Sequence, residues 1–537
     1  MDFKPILNFP LKEKTFFWVV FTLVLCTRLH YADAPMERDE GEYAYAGWRI
    51  LRGELPYLDF YNMKFPGVYY FYALIFKAFG TSIISVRIAV MLLNFASGFF
   101  LFSVAKKWLG EGGAWLAAGI FLLLSLSIRS QGFIANCEHF VVFFYLFGLW
   151  LLTEKRIFWA GICLGMACLM KQHAAILALF TGFLLLNECF YSKNVKKFGF
   201  QLLVLGCGFF IPLLGLLAFM VHKNILAQFT YFTYDYAKEY SKLIGISAKD
   251  LLNQILQISY DNIGFWLIFW VTFVKILKNK KPRITVVNTP NWQPEQGYVI
   301  LVFWLISFAS VCPGFYFRPH YFQYICPATA VLIAYGLSVL KIEGQIKNWK
   351  IDLSTSLKLA FLTTFIVQHG YFTYYSPAHV SLEAYHYERF AEVKEFSEQL
   401  EKISKPTDKI GGINNDPQIL FYTKRQLATG FLYVYPLLEK QKYAAEMTEK
   451  FISETEANKP EWLFSFSIEP GNDENNVETQ KRLLDWFDNY SKNYNLKAVS
   501  YCEKRYSMKM KWDETQIDTS KEVFFSLYKR KDYPLSK

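Results

Sequence analysis

Charge is scarce in this chain. Asp, Glu, Lys and Arg make up 19% of its 537 residues, below the roughly 25% of soluble domains. With 53% hydrophobic and 19% aromatic residues, that scarcity excludes a soluble globular protein and indicates a polytopic membrane protein with room for one soluble domain. Cysteine offers no framework. Of nine, most, among them Cys26, Cys163, Cys168, Cys189 and Cys207, lie in or beside hydrophobic segments, and only Cys502 lies in the polar C-terminal third, so neither a disulfide scaffold nor a zinc spacing is present. There is no internal repeat and no low-complexity tract. Acid is outnumbered, giving a net charge of +11, yet a membrane protein gathers Lys and Arg on its cytoplasmic loops for topological reasons, and nucleic-acid binding is not expected. No sorting signal is readable at Tyr533–Lys537, which points to a bacterial cell membrane.

What is present is a succession of hydrophobic runs. About eleven could cross the roughly 30 Å of hydrocarbon, centred near Val20, Leu92, Phe121, Phe147, Leu164, Thr181, Phe210, Phe269, Leu305, Leu332 and Phe365. The first follows Lys12 and Lys14. Ala32-Asp33-Ala34 imitates a signal-cleavage site, but Arg28 and His30 interrupt the approach to it, so an uncleaved anchor is expected. Lys106–Lys107, Lys155–Arg156, Lys193 with Lys196–Lys197, Lys275 to Arg283 and Lys341 to Lys350 fall on the side of the N-terminus, which the positive-inside rule makes cytoplasmic. The expectation is an α-helical membrane domain over 1–374, with a first external loop over 30–82, and an extracytoplasmic α/β domain over 375–537. That tail alternates helical patterns (Leu382 to Ile403, Leu437 to Glu454, Val477 to Tyr490) with strand-like runs (Lys409 to Ile413, Trp462 to Phe466, Leu496 to Tyr501, Val523 to Tyr528).

The first external loop is the richest stretch. From Arg38 to Tyr70 it carries Asp39 and Glu40, a Lys64-x-Pro66, and many Tyr and Trp residues suited to a membrane interface. Asp39 and Glu42 have capping-box spacing ahead of a helix that Gly53 stops. Pro66 fits the first turn of a second helix, Val68 to Phe79, closed by Gly80, which puts Lys64 beside a helix N-terminus that favours anions.

External basic residues are few and need a reason. Besides Arg38, Arg49, Arg52 and Lys64 they are Arg129, Lys171 and Arg318, accompanied by His139, His173 and His320. Together they suit a phosphate, since Arg gives bidentate hydrogen bonds and Lys a compact charge. Glu138, at the external end of the fourth run beside His139, is costly near lipid and reads as functional. Each also has a structural reading. Lys171 can snorkel, Arg318 can be a loop charge, Asp39 a helix cap, Glu138 the partner of an arginine, and Asp235 with Glu239 in the tyrosine-rich Tyr231–Tyr240 a solvated face.

Taken in order, these motifs resemble the GT-C glycosyltransferases of the protein O-mannosyltransferase and aminoarabinose-transferase-like group, family 39. The resemblance rests on Arg38-Asp39-Glu40-Gly41-Glu42-Tyr43-Ala44, Gly53-x-x-Pro56-Tyr57-x-Asp59 and Lys64-x-Pro66. It continues through Asn136-x-Glu138, Lys171-Gln172, Arg318-Pro319-His320-Tyr321 with Pro327, and Asp416-Pro417-x-Ile419, Thr423-x-Arg425 and Ala428-Thr429 in the tail. Ile410-Gly411-Gly412-Ile413-Asn414-Asn415 departs from the family's aromatic-rich turn. The resemblance implies transfer of a sugar from a polyprenyl-phosphate carrier to an extracytoplasmic acceptor, whether protein, lipid or glycan, with inversion. By it, Asp39 is the base or acceptor-orienting carboxylate, Lys64, Lys171, Arg318 and His320 stand near the carrier phosphate, and Glu138 is the second acidic position. By residue type alone, Glu40 supports Asp39 as a neighbouring charge at the catalytic position and Arg129 joins the cations suited to the donor phosphate.

The residue chemistry agrees. A sugar on a lipid phosphate already has a good leaving group, so cations and one base suffice. A divalent cation, if used, would find ligands in Asp39, Glu138 and a histidine such as His139, but no spacing requires one. Two rivals stand: a transporter or flippase for a lipid-linked or anionic substrate, against which no repeated halves are found, and a polysaccharide ligase using a lipid-diphosphate donor.

Overall fold

The computed structural model describes residues 11–243, 248–261, 263–278, 297–339, 343–346, 349–374, 376–385, 390–413, 416–466, 476–504, 507–518 and 520–532. Asn414–Asn415, Tyr533–Lys537, the 279–283 end of the Lys275–Arg283 block, and parts of Lys341–Lys350 and of the Leu382–Ile403 pattern lie outside them. The chain forms two compact units.

The first unit comprises Met1–Ala32, Val86–Ala218 and Ile246–Ser376 and is almost entirely helical. Among the described residues four helical stretches are long and apolar enough to cross a membrane: Gln172–Ser192, wholly in this unit, and Glu13–Asp33, Ile83–Leu124 and Val195–His222, each mostly in it. Shorter apolar helices are Cys137–Thr153, Ile157–Met170 and Gly297–Ala309. Ile83–Leu124 runs to 42 residues, which at about 1.5 Å per residue is some two bilayer cores long. The chain resolves this by folding back at Gly110, whose φ of 72° leaves the helix. The two arms are antiparallel: Ser125 Oγ donates to Asn94 Oδ1 at 3.1 Å, and the Phe102 and Trp115 rings lie 4.3 Å apart. Val195–His222 stays largely uncovered, with Phe200, Phe210 and Leu214 exposed, as a lipid-facing helix requires.

The second unit comprises Asp33–Ser85, Phe219–Gly245 and Pro377–Lys537. The first loop therefore packs with the tail. Its two helices, Arg38–Leu51 and Gly67–Phe79, cross closely because Gly47 has no side chain: a Cβ there would lie 2.9 Å from Ala73 N. The tail is built on a six-stranded sheet in the order Gln426–Leu427, Lys409–Ile413, Trp462–Phe466, Val523–Arg530, Tyr494–Lys504, Ser507–Trp512. The first three strands are parallel and the rest antiparallel. The Lys409–Ile413 to Trp462–Phe466 connection carries the helix Ala444–Asn458, as a parallel crossover needs. Trp462, Leu463, Phe464 and Phe466 are buried, the unbroken apolar run of a strand covered on both faces. At Gly412, φ is 100° and a Cβ would meet Phe464 O at 2.1 Å, so only glycine fits.

Candidate active site

The first loop helix starts one residue before Asp39. Its cap is Glu37, whose side chain accepts from Glu40 N at 3.0 Å while Glu40 Oε2 accepts from Glu37 N at 3.5 Å. The capping box expected at Asp39 and Glu42 is thus formed two residues earlier, by Glu37 and Glu40. This shift releases Asp39 and Glu42, which lie three apart and so share a helix face. Lys64 reaches that face. Its Nζ lies 2.8 Å from Asp39 Oδ1 and 2.8 Å from Glu42 Oε2, and 4.6 Å from the centre of the Tyr43 ring. Tyr57 fixes the backbone beneath it by donating to Lys64 O at 2.7 Å.

Glu42 is the buried centre of this group, with no exposed surface. Tyr69 OH donates to its Oε1 and Tyr433 OH to its Oε2 at 3.0 Å. Burial raises the Glu42 carboxyl above its ordinary range, Lys64 opposes this, and Asp39 adds to it. Burial also disfavours the Lys64 ammonium, but Asp39 and Glu42 outweigh it and hold the amine well above its usual value. Lys64 therefore stays a cation. The Tyr433 phenol is pushed up by burial and by Glu42, so it remains a donor. Of the three N–H groups of an ammonium, two are directed at Asp39 and Glu42.

The tail braces this face. Arg38 Nε pairs with Asp416 Oδ1 at 3.1 Å, and Gln418 Nε2 donates to the same oxygen at 2.9 Å. Gly41 lies against Gln418 so closely that a Cβ would be 2.5 Å from Gln418 Cβ. Farther along, Leu427 N donates to Tyr45 OH at 2.8 Å and Tyr61 N to Gly430 O at 2.7 Å. Glu42, Tyr69 and Tyr433 were not among the expected site residues. The Asp39–Glu42 spacing carried a signal, read as a cap; Tyr433, far off in the chain, carried none.

In the first unit, a second charged group forms where the Cys137–Thr153 helix begins. Glu138, without exposed surface, pairs with Lys171 Nζ, which sits 3.8 Å from the Tyr321 ring centre. The Tyr321 ring lies 4.9 Å from that of His320 and 5.9 Å from that of His173. His320 Nδ1 is 3.0 Å from Gln131 Oε1, and Gln323 Nε2 donates to Ser130 Oγ at 2.9 Å. These two tethers join loops that hold left-handed residues: Gln131 at φ 54°, Phe315 at 54° and Phe317 at 44°. Such backbone is costly for aromatic residues and persists only when surroundings enforce it. Arg318 is exposed, its guanidinium 5.5 Å from the Tyr316 ring centre, and Arg129 is half-buried. His139 is buried, and among the described residues its Nε2 has no hydrogen-bond partner. As helix neighbours, Glu138 and His139 point about 100° apart, a poor pair for one ion. Among the described residues no three His, Cys, Asp or Glu side chains gather to hold a metal.

Residues 64–215 match the family model described as dolichyl-phosphate-mannose-protein mannosyltransferase. No curated protein matches the chain. Among solved structures, apo ArnT from Cupriavidus metallidurans superposes with a TM-score of 0.57 at 12% identity, covering 95% of this chain and 97% of that one. ArnT from the same organism bound to undecaprenyl phosphate gives 0.53 at 15%, covering 76% and 84%. The Archaeoglobus fulgidus oligosaccharyltransferase tethered to an acceptor peptide gives 0.51 at 10%, covering 95% and 75%. At these identities the likeness is one of fold, and the fold is GT-C.

Proposed function

We infer from the mannosyltransferase match and the GT-C fold that this chain is a membrane glycosyltransferase, and propose that it moves a sugar from a polyprenyl-phosphate carrier to an acceptor outside the cytoplasm. The observation that carries the chemistry is the ion-paired triad of Lys64 with Asp39 and Glu42. In the proposed step, the acceptor oxygen attacks the anomeric carbon and its proton passes to Asp39. The bond from that carbon to the phosphate oxygen breaks, and its electron pair leaves with polyprenyl phosphate. A single displacement inverts the anomeric centre. Glu42 and its two tyrosine donors fix Lys64, Lys64 orients Asp39, and its third N–H is directed to a phosphate oxygen of the donor. Glu40 serves the helix cap.

Within the first unit, Arg318, His320 and Arg129 are proposed as anion-binding residues in their own right, and Glu138 as holding Lys171 in place. No step is routed through a metal. The membrane arrangement we propose has eleven spans, including the two arms that meet at Gly110, with the N-terminus cytoplasmic and the tail outside a bacterial cell membrane, in line with the placement of Lys and Arg along the chain. The test is transfer of radiolabelled sugar from a panel of polyprenyl-phosphate sugars into membrane-extract acceptors by purified protein. Asp39→Asn should lower the rate at least 100-fold while donor binding persists, a loss in the range of a missing general base. Labelled donor crossing sealed vesicles equally well with Asp39→Asn, and no transfer, would replace the enzyme by a transporter.

A further inference from the structure

The helices Ile157–Met170 and Val195–His222 touch backbone to backbone. A Cβ on Gly161 would lie 2.2 Å from Leu205 O, and one on Gly208 would lie 2.1 Å from Phe158 O, the close approach that small residues permit in membranes. Beside this contact, toward the Lys155 end, a crevice of 410 Å³ remains, lined by Lys155, Arg156, Trp159, Phe200, Gln201 and Val204 among others. Its two kinds of lining are distinct. Trp159 is 57% exposed and Phe200 67%, an aromatic and apolar wall continuous with the uncovered Val195–His222 helix. At its end stands Arg156, exposed and with no side-chain hydrogen bond or ion pair among the described residues. The neighbouring cations differ: Lys155 and Lys197 share Glu188, at 3.4 and 3.0 Å, and Glu188 also lies 3.5 Å from Gln201 Nε2. Glu188 is not itself among the residues that line the crevice, and two ammonium groups on its one carboxylate leave the surroundings of Arg156 net positive. Arg156 remains as uncompensated charge.

We propose that this crevice binds one anionic phospholipid, its headgroup phosphate on Arg156 and its glycerol and upper acyl chain against Trp159, Phe200 and Val204. Charge complementarity selects the occupant. A guanidinium forks onto phosphate oxygens, a basic pocket between membrane helices suits an anionic headgroup, and an exposed Trp at the end of an apolar helix sits at headgroup depth. A soluble anion would use Arg156 but leave the aromatic wall in contact with solvent. A zwitterionic lipid would add an ammonium beside Lys155 and Lys197.

The test is lipid enrichment. Full-length protein in nanodiscs of equimolar phosphatidylglycerol and phosphatidylcholine is released for native mass spectrometry and the bound lipids are counted. One phosphatidylglycerol should be retained over phosphatidylcholine by about tenfold. Arg156→Glu should reduce that to parity, Trp159→Ala should reduce retention of both lipids, and Lys106→Glu, an exposed change near the Gly110 bend of the Ile83–Leu124 helix, should leave the ratio unchanged. Equal loss in Lys106→Glu would show a diffuse field and overturn the site. Undiminished enrichment in Arg156→Glu would overturn it too, and adding millimolar inorganic phosphate that displaces the lipid completely would reassign it to a free anion. Sugar transfer is not read in this assay, so its outcome stands apart from the proposed activity.

Discussion

Removing the Lys64 ammonium isolates a buried charge, and the consequence is calculable. Glu42 has no exposed surface and keeps only the Tyr69 and Tyr433 hydroxyls when Lys64 becomes alanine. Breaking a buried pair from one side costs about 3–5 kcal/mol. The two phenol donors, each contributing about 1.5 kcal/mol or more to a charged acceptor, place Lys64→Ala at the low end, about 3 kcal/mol. The Asp39 contact adds little, because Asp39 is 27% exposed and partly exposed pairs contribute about 0–1 kcal/mol. Neutralising the orphaned carboxylate should restore much of the loss, so Lys64→Ala with Glu42→Gln should be about 2 kcal/mol more stable than the sum of the single changes. The pH dependence has a definite sign. Burial already raises the Glu42 carboxyl, and without Lys64 it rises further. The folded variant then binds a proton that the unfolded chain has lost, so its stability is highest in acid and falls as pH climbs from the ordinary carboxylate range to the raised value. The assay is denaturant unfolding of detergent-solubilised protein at pH 5 and pH 8 for the full double-mutant cycle. Additive single changes, or a Lys64→Ala penalty below about 1 kcal/mol at pH 8, would refute the buried-pair reasoning.

Other substitutions read other parts of the molecule. Glu439, whose Oε2 accepts from Tyr236 OH at 2.9 Å, is raised by burial to about 7. Its carboxyl costs stability as pH rises from about 4.5 to 7, and Glu439→Gln should therefore stabilise at pH 8, by at most about 3 kcal/mol, and hardly at pH 4. Gly41→Ala should cost 1–3 kcal/mol by forcing Gln418 away, seen as earlier proteolysis of the second unit. Arg38→Ala should cost under about 1 kcal/mol, since its side chain is 39% exposed; a larger loss in denaturant unfolding would mean that the pair with Asp416 is stronger than its exposure allows. Gly161→Leu should disrupt the crossing of its helix with Val195–His222, and detergent thermostability should fall accordingly.

Legibility differed by the kind of signal. Hydrophobic runs fixed where helices lie, because every one of the expected centres falls within a helix. The strands Lys409–Ile413 and Trp462–Phe466 and the helix Val477–Tyr490 were found at their ends, each a short apolar or amphipathic run bounded by turn residues. Ser507–Trp512 was missed, since Ser-Met-Lys-Met-Lys-Trp alternates without β-branched residues, and pairing with Tyr494–Lys504 decides its conformation. The Leu437 to Glu454 helical pattern spans two helices, Tyr435–Leu438 and the start of Ala444–Asn458. At the loop, residue types pointed to Asp39 and Lys64, but which carboxylate caps and which faces the lysine depends on where the helix begins, a matter of one or two residues that spacing alone does not fix. Tyr433 joins Glu42 only through the folding of the tail, so no local pattern announces it.

The most direct measurement is mass-spectrometric detection of free polyprenyl phosphate released by the purified protein from polyprenyl-phosphate sugars, comparing the unaltered chain with Asp39→Asn and Lys64→Ala. Release by the unaltered chain, abolished in Asp39→Asn and strongly reduced in Lys64→Ala while both remain folded, is the expected result. Release that persists undiminished in Asp39→Asn would contradict the assignment of that carboxylate to the transfer step.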